Sequence, residues 1–151
     1  MKVKSLLLVM LVVGIAALFL SASIFAGTTI PDVIKMETKG YEKHEKGLVS
    51  FSHKKHSEEY KAGCGDCHHD AKGKPLASLK PTDKVQSCIE CHKKPSEKPK
   101  GKDAPKLSKK EELEYHAEAL HENCQGCHKE FNKKNNSKAA PTTCAKCHAK
   151  K

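Results

Sequence analysis

The sequence predicts a mainly α chain with much irregular structure and one short N-terminal β-hairpin, wrapped around something other than its own side chains. Three observations predict this. Beyond residue 30 aliphatic side chains are sparse, Trp is absent and charged residues are dense, a composition that alone would suggest disorder. The pattern Cys-x-x-Cys-His occurs four times and uses all eight cysteines. One stretch, from Ser108, carries both a helix start signal and an apolar stripe at helical spacing.

The four copies are Cys64-Gly65-Asp66-Cys67-His68, Cys88-Ile89-Glu90-Cys91-His92, Cys124-Gln125-Gly126-Cys127-His128 and Cys144-Ala145-Lys146-Cys147-His148. Each reads as an attachment site for a c-type haem. Two thiols add to the two vinyl groups of one porphyrin, and the two residues between them let the backbone span that gap. The histidine next in line reaches the iron from the same side. Zinc is the bland reading, since two Cys-x-x-Cys units make one four-ligand site. A disulfide framework is another, because exported chains with an even cysteine count often have one. Neither explains a histidine after every second cysteine.

From the start of the chain, Met1-Lys2-Val3-Lys4 is a short basic region, and Ser5 to Leu20 is apolar or small throughout. Ser21 to Ala26 supplies small residues of the kind a signal peptidase accepts. Residues 1–26 therefore read as a secretory signal, with an uncleaved anchor as the alternative, because Ser5–Ala26 is long enough to span a bilayer. Either way the remainder, 27–151, lies outside the cytoplasm, as in a bacterial periplasm. By length it is one domain. Four haems would leave about 31 residues each, too few for a separate apolar core.

Val33–Met36 and Leu48–Phe51 alternate weakly and predict the hairpin, with Gly40 and Gly47 suited to turns. Ser52 predicts the cap of a helix from His53 to Ala62, closed by Gly63. Residues 70–83 read as loop, a helical turn is expected over Cys88–His92, and the Pro- and Lys-rich run 93–107 reads as an exposed connection. Ser108-Lys109-Lys110-Glu111 is a capping box. Leu113, Ala117, Leu120 and Cys124 follow it on one face, so one helix is expected to run toward the third motif. Residues 132–143 read as a polar loop.

Six histidines remain outside the motifs: His44, His53, His56, His69, His116 and His121. Four irons need four sixth ligands, and Met36 is the one methionine beyond the signal. Two histidines per iron is the economical reading. Filled axial positions leave no open iron for a substrate, which favours electron transfer over catalysis. Histidine in place of methionine also predicts low potentials.

Phe51-Ser52-His53-Lys54-Lys55-His56, followed by Cys64-Gly65-Asp66-Cys67-His68-His69, resembles the opening of the class III multihaem cytochromes c of sulfate- and metal-reducing bacteria. The resemblance covers about residues 33–148. It implies a small cytochrome wrapped around four c-type haems, with His53 on haem one, His56 on haem three and His69 on haem two. For haem four the family often has a histidine just ahead of the third motif, which implies His121. His116 is the rival, and the helical period does not choose between them. His44 is then expected to be solvated.

The 28 basic residues are all Lys. Without Lys2 and Lys4 the chain holds 26 basic against 18 acidic residues. Eight haem propionates would cancel that excess, and oxidised iron would return about one charge per haem. A nucleic-acid partner is therefore not expected. Lys129, Lys133, Lys134, Lys138, Lys146, Lys150 and Lys151 surround the last two motifs, where positive charge could steer an acidic redox partner. The reading is a periplasmic electron carrier between redox proteins, with a hydrogenase or dehydrogenase as donor and a membrane redox complex as acceptor. The rivals are a membrane-anchored quinol-oxidising tetrahaem cytochrome and a terminal reductase of metals or nitrogen oxides.

Overall fold

The structure, a computed structural model, describes residues 31–149; the signal or anchor expected over 1–26 lies outside the described residues, as do Lys150 and Lys151. Strand β1 (Ile34–Lys35) pairs antiparallel with β2 (Ser50–Phe51), Ile34 opposite Phe51 and Lys35 opposite Ser50. Met36 N–H adds a bond to the Val49 carbonyl (2.9 Å). This is the expected hairpin, with a long connection between its strands.

A helical turn follows at once, but it widens to π-helical geometry over Lys55–Glu59. Tyr60 N–H reaches back five residues to the Lys55 carbonyl (3.0 Å). The expected helix to Ala62 is therefore too long. Lys61 turns left-handed (φ 57°) and ends it, and Gly63 is extended and caps the next helix instead of closing this one. The Ser52 side chain makes no cap bond; its carbonyl accepts from His56 N–H (3.2 Å) and from His56 Nδ1 (2.8 Å).

Three motifs form single helical turns: α1 (Cys64–Cys67), α2 (Cys88–Cys91) and, last in the chain, α5 (Cys144–Cys147). In the first two the acidic residue inside the motif reaches back to the cap. Gly63 N–H donates to Asp66 (2.8 Å) and Ser87 N–H to Glu90 (3.0 Å). That satisfies an orphan donor of the first turn.

Ser108 caps as expected. Its N–H and Oγ both contact Glu111 Oε2 (2.7 and 2.6 Å), and Glu111 N–H returns to Ser108 Oγ (3.4 Å). The helix it starts, α3 (Lys109–Glu112), is one turn long. The chain then breaks over 113–115 before α4 (His116–Lys134), which contains the third motif. The single continuous helix read from the sequence is thus two. The break has a cause: Lys94 N–H donates to the Glu114 carbonyl (3.0 Å) and His116 N–H to the Lys94 carbonyl (2.8 Å), so a neighbouring strand of chain takes the bonds a helix would use. The run 93–107 is accordingly docked at its start rather than wholly free. Helix α4 also runs into the expected 132–143 loop, because no Pro or Gly interrupts Cys127–Lys134. It ends near Asn136 (φ 43°).

No hydrophobic residue among those described is buried, and the one buried residue is His116, 3% exposed. Side-chain packing therefore supplies no apolar core. Among the described residues no helix is long and apolar enough to cross a membrane.

Candidate haem-iron sites

Each motif histidine faces one histidine from elsewhere. Ring centroids lie 6.3 Å apart for His53 and His68, 6.2 Å for His56 and His128, 5.9 Å for His69 and His92, and 6.3 Å for His121 and His148. A metal–imidazole bond is about 2 Å. Two such bonds in line, with the distance from each nitrogen to its ring centre, put the centroids of two trans imidazoles about 6 Å apart. Ordinary ring packing covers about 4.5–7 Å, so spacing alone does not mark a metal site. Composition does more: every couple joins one motif histidine to one of the six others, and none is used twice. These are the couples the family resemblance implied.

Backbone carbonyls aim most of these rings. His69 Nδ1–H donates to the Asp70 carbonyl (2.7 Å), His128 to Pro141 (2.7 Å), His148 to Gly47 (2.8 Å), and His92 to Leu113. With the Ser52 carbonyl on His56, five rings have Nδ1 occupied, which fixes the tautomer and leaves Nε2 for a metal. Local devices hold the carbonyls. The Asp70 carboxylate accepts from Lys72 and Lys74 N–H (2.8 and 2.9 Å), and these bonds, that from Lys74 first, hold it below the usual carboxylate range. Gly47 lies against the chain end: a Cβ there would sit 2.0 Å from the Ala149 oxygen, so only glycine admits this approach.

The four motifs converge. Asn123, beside the third, donates to the Cys67 carbonyl of the first (3.3 Å), and α2 packs against α4. Desolvation chiefly, and then Cys67, Cys147, Cys88 and Cys127, push the Cys124 thiol up to about 11. Cys67 is also raised, by desolvation and then by Cys127. Cys124 thus lies near a thiol of each of the other three motifs, and none of the eight is in a disulfide.

A family model for class III cytochrome c matches residues 31–148. The chain belongs to the class III cytochrome c family. It is therefore a c-type cytochrome with covalently attached haem, and its work is electron transfer. Among curated proteins no relative matches the chain.

The residues of this cytochrome fit that cofactor. Among the described residues no three His, Cys, Asp or Glu side chains converge as they would around a bare ion; the histidines come instead in facing pairs beside paired thiols. His53 Nδ1 is the one buried side-chain N or O atom among the described residues without a hydrogen-bond partner. Such an orphan costs roughly 1–3 kcal/mol, and its place in the His53–His68 couple suits a site shared with a polar-edged porphyrin. A cleft beside His68 and His69 likewise combines apolar Leu76 and Val85 with charged Lys84 and Asp70 in its lining.

Two histidines stand outside the couples. His116 Nδ1 lies 3.0 Å from the Tyr41 hydroxyl, and His44, expected to be solvated, is half-buried and stacks on Tyr41 at 5.2 Å. The sequence reading missed Tyr41 and the five carbonyls. Any residue type presents a carbonyl, so those carry no sequence signal. Glu90, also passed over, does carry a signal, because Ser87-x-x-Glu90 has the form of a capping box.

Proposed function

We propose that this cytochrome carries four haems, each tied through one cysteine pair and held by two histidines, and that it works as a low-potential electron carrier in the periplasm. The cysteine pairs are Cys64/Cys67, Cys88/Cys91, Cys124/Cys127 and Cys144/Cys147. The axial couples are His68 with His53, His92 with His69, His128 with His56, and His148 with His121. The observation that carries the reading is the one-to-one pairing of motif and non-motif histidines at 5.9–6.3 Å. His121 is preferred to His116 because the His121 ring is the one that faces the His148 ring, at 6.3 Å.

When bound, each haem iron takes up and releases one electron. The chain's part is to hold that iron in the same ligand field in both states. Backbone carbonyls on Nδ1 keep five of the axial rings aimed and raise their basicity, which with two histidines per iron favours low potentials. Convergence of the four motifs suits rapid exchange among the haems. Lys129, Lys133, Lys134, Lys138 and Lys146 carry positive charge along α4 and beside α5, which favours an acidic redox protein as partner. A hydrogenase or dehydrogenase as donor and a membrane redox complex as acceptor meet that description.

Intact mass of protein matured in a host that attaches c-type haem tests the loading, and should equal the chain, less any cleaved signal, plus four haems. His121→Ala should then open one iron, turning it high-spin and able to bind carbon monoxide, while His116→Ala opens none. Three or fewer haems, or the reverse pattern of opening, would contradict the reading.

A further inference from the structure

His116 is the one buried residue among those described, it is polar, and the axial couples do not use it. Buried polar groups persist where they are hydrogen-bonded and do work for the fold. Its partner is Tyr41, hydroxyl to Nδ1 at 3.0 Å, with the rings edge to face at 5.6 Å.

The surroundings say what that work is. His116 opens α4 at the break over 113–115, and two bonds from this break reach the second motif. The Leu113 carbonyl accepts from His92 Nδ1–H. The Lys94 carbonyl, two residues past His92, accepts from His116 N–H (2.8 Å), while Lys94 N–H donates to Glu114 (3.0 Å). Ala117 N–H adds a bond to the Ser96 carbonyl (3.3 Å). The ring of His92 and the chain that follows it are therefore both fastened to the segment His116 anchors. From the other side Tyr41 arrives with Gly40, where a Cβ would lie 3.4 Å from Pro95 and 3.7 Å from Ile89 inside the second motif.

We propose that Tyr41 and His116 are positioning residues for His92: their hydrogen bond locks the 113–117 segment so that the Leu113 carbonyl stays on His92 Nδ1, and so sets the potential of haem two. The inference rests on His92 being an axial ligand of that haem. A carbonyl held on Nδ1–H gives the imidazole more anionic character, which favours ferric iron. Loosening that carbonyl favours ferrous iron, and it does so at this haem alone, because the Leu113 carbonyl holds the His92 ring and no other axial ring.

The test uses the four-haem protein with Tyr41→Phe, His116→Leu and His116→Gln. Redox titration, followed by the paramagnetically shifted haem-methyl resonances that distinguish the four haems, reads each potential. Tyr41→Phe and His116→Leu should raise the potential of haem two alone, up to about tenfold in its reduction equilibrium, or about 59 mV for one electron. His116→Gln, which keeps a hydrogen-bonding group, should restore most of the difference. Unchanged potentials in both Tyr41→Phe and His116→Leu, or an equal shift of all four, would overturn the proposal. If His116→Leu fails to assemble, Tyr41→Phe, which removes one oxygen and keeps the ring, decides alone. A wild-type haem two that is high-spin would instead show that the His92–His69 couple does not fill both axial positions, a result separable from the first.

Discussion

The chain's smallest side chains, and the one polar ring buried among the described residues, carry the clearest consequences of single-residue change. At Gly47 a methyl group would meet the Ala149 oxygen at 2.0 Å, and that oxygen is backbone, so the two segments must part. The Gly47 carbonyl that accepts from His148 would move with them. Gly47→Ala should cost about 1–3 kcal/mol, as overpacking does, whereas Gly40→Ala, with ordinary contacts, should stay within about 0.5 kcal/mol; thermal unfolding of the two variants measures the difference. His116 gives a pH dependence. Desolvation first, and His92 second, hold it below the usual histidine range. Its folded pKa is thus lower than its unfolded value of about 6.5, and the unfolded chain binds more protons between the two. The stability this contributes is present above about pH 6.5 and is lost as pH falls toward the folded value. Melting temperature should therefore decline on acidification in the wild type, and decline less in His116→Gln, over about pH 7.5 to 5. An equal decline in both proteins would remove His116 as its source.

Helix α4 is the element that does most, presenting His116, His121 and the third motif on one rod, and α3 precedes it across the break at 113–115. Ser108→Ala removes the cap of α3 and should cost about 1 kcal/mol, a fall of a few degrees in melting temperature, with every haem still low-spin because α3 carries no axial ligand. Loss of an axial ligand in that variant would mean that α3 and α4 are coupled more tightly than their separation suggests. The elements also show what the sequence could reveal. The capping box at Ser108, the hairpin and the four motifs follow from local chemistry and were legible. The break at 113–115 was not, because Leu113, Glu114 and Tyr115 are ordinary helix residues. It arises from hydrogen bonds to Lys94, some twenty residues away in sequence. The π-helical turn at Lys55–Glu59 escaped for a similar reason: nothing in Lys-His-Ser-Glu-Glu demands a wider helix, and its geometry accompanies the placing of His53 and His56 toward two different motifs. The candidate site was more legible than the fold, since cysteine and histidine are scarce and their spacing is chemical. His116 and His121, which the helical period does not separate, part in three dimensions, where one meets Tyr41 and the other His148.

Across the whole molecule, the described residues bury no hydrophobic side chain, and the exposed ion pairs, such as Lys94–Glu114 (2.7 Å) and Lys54–Asp32 (3.5 Å), contribute little individually. Small domains without an adequate apolar core need another source of cohesion. Here four porphyrins, each covalently tied at two points and clamped by two histidines, would supply it, and the same clamps would keep substrate off the iron. On the proposed ligation, structure and electron carrying would have one origin, the filling of every axial position from within the chain. Magnetic resonance of the oxidised, fully loaded protein, integrated against total iron, tests this most directly. Four low-spin ferric haems per chain and no high-spin signal are expected. The third haem should be the least anisotropic, because the His56 and His128 ring planes differ by 25° where the other couples differ by 60° to 82°. A high-spin signal equal to one haem or more would contradict it, by showing an iron that the chain leaves open.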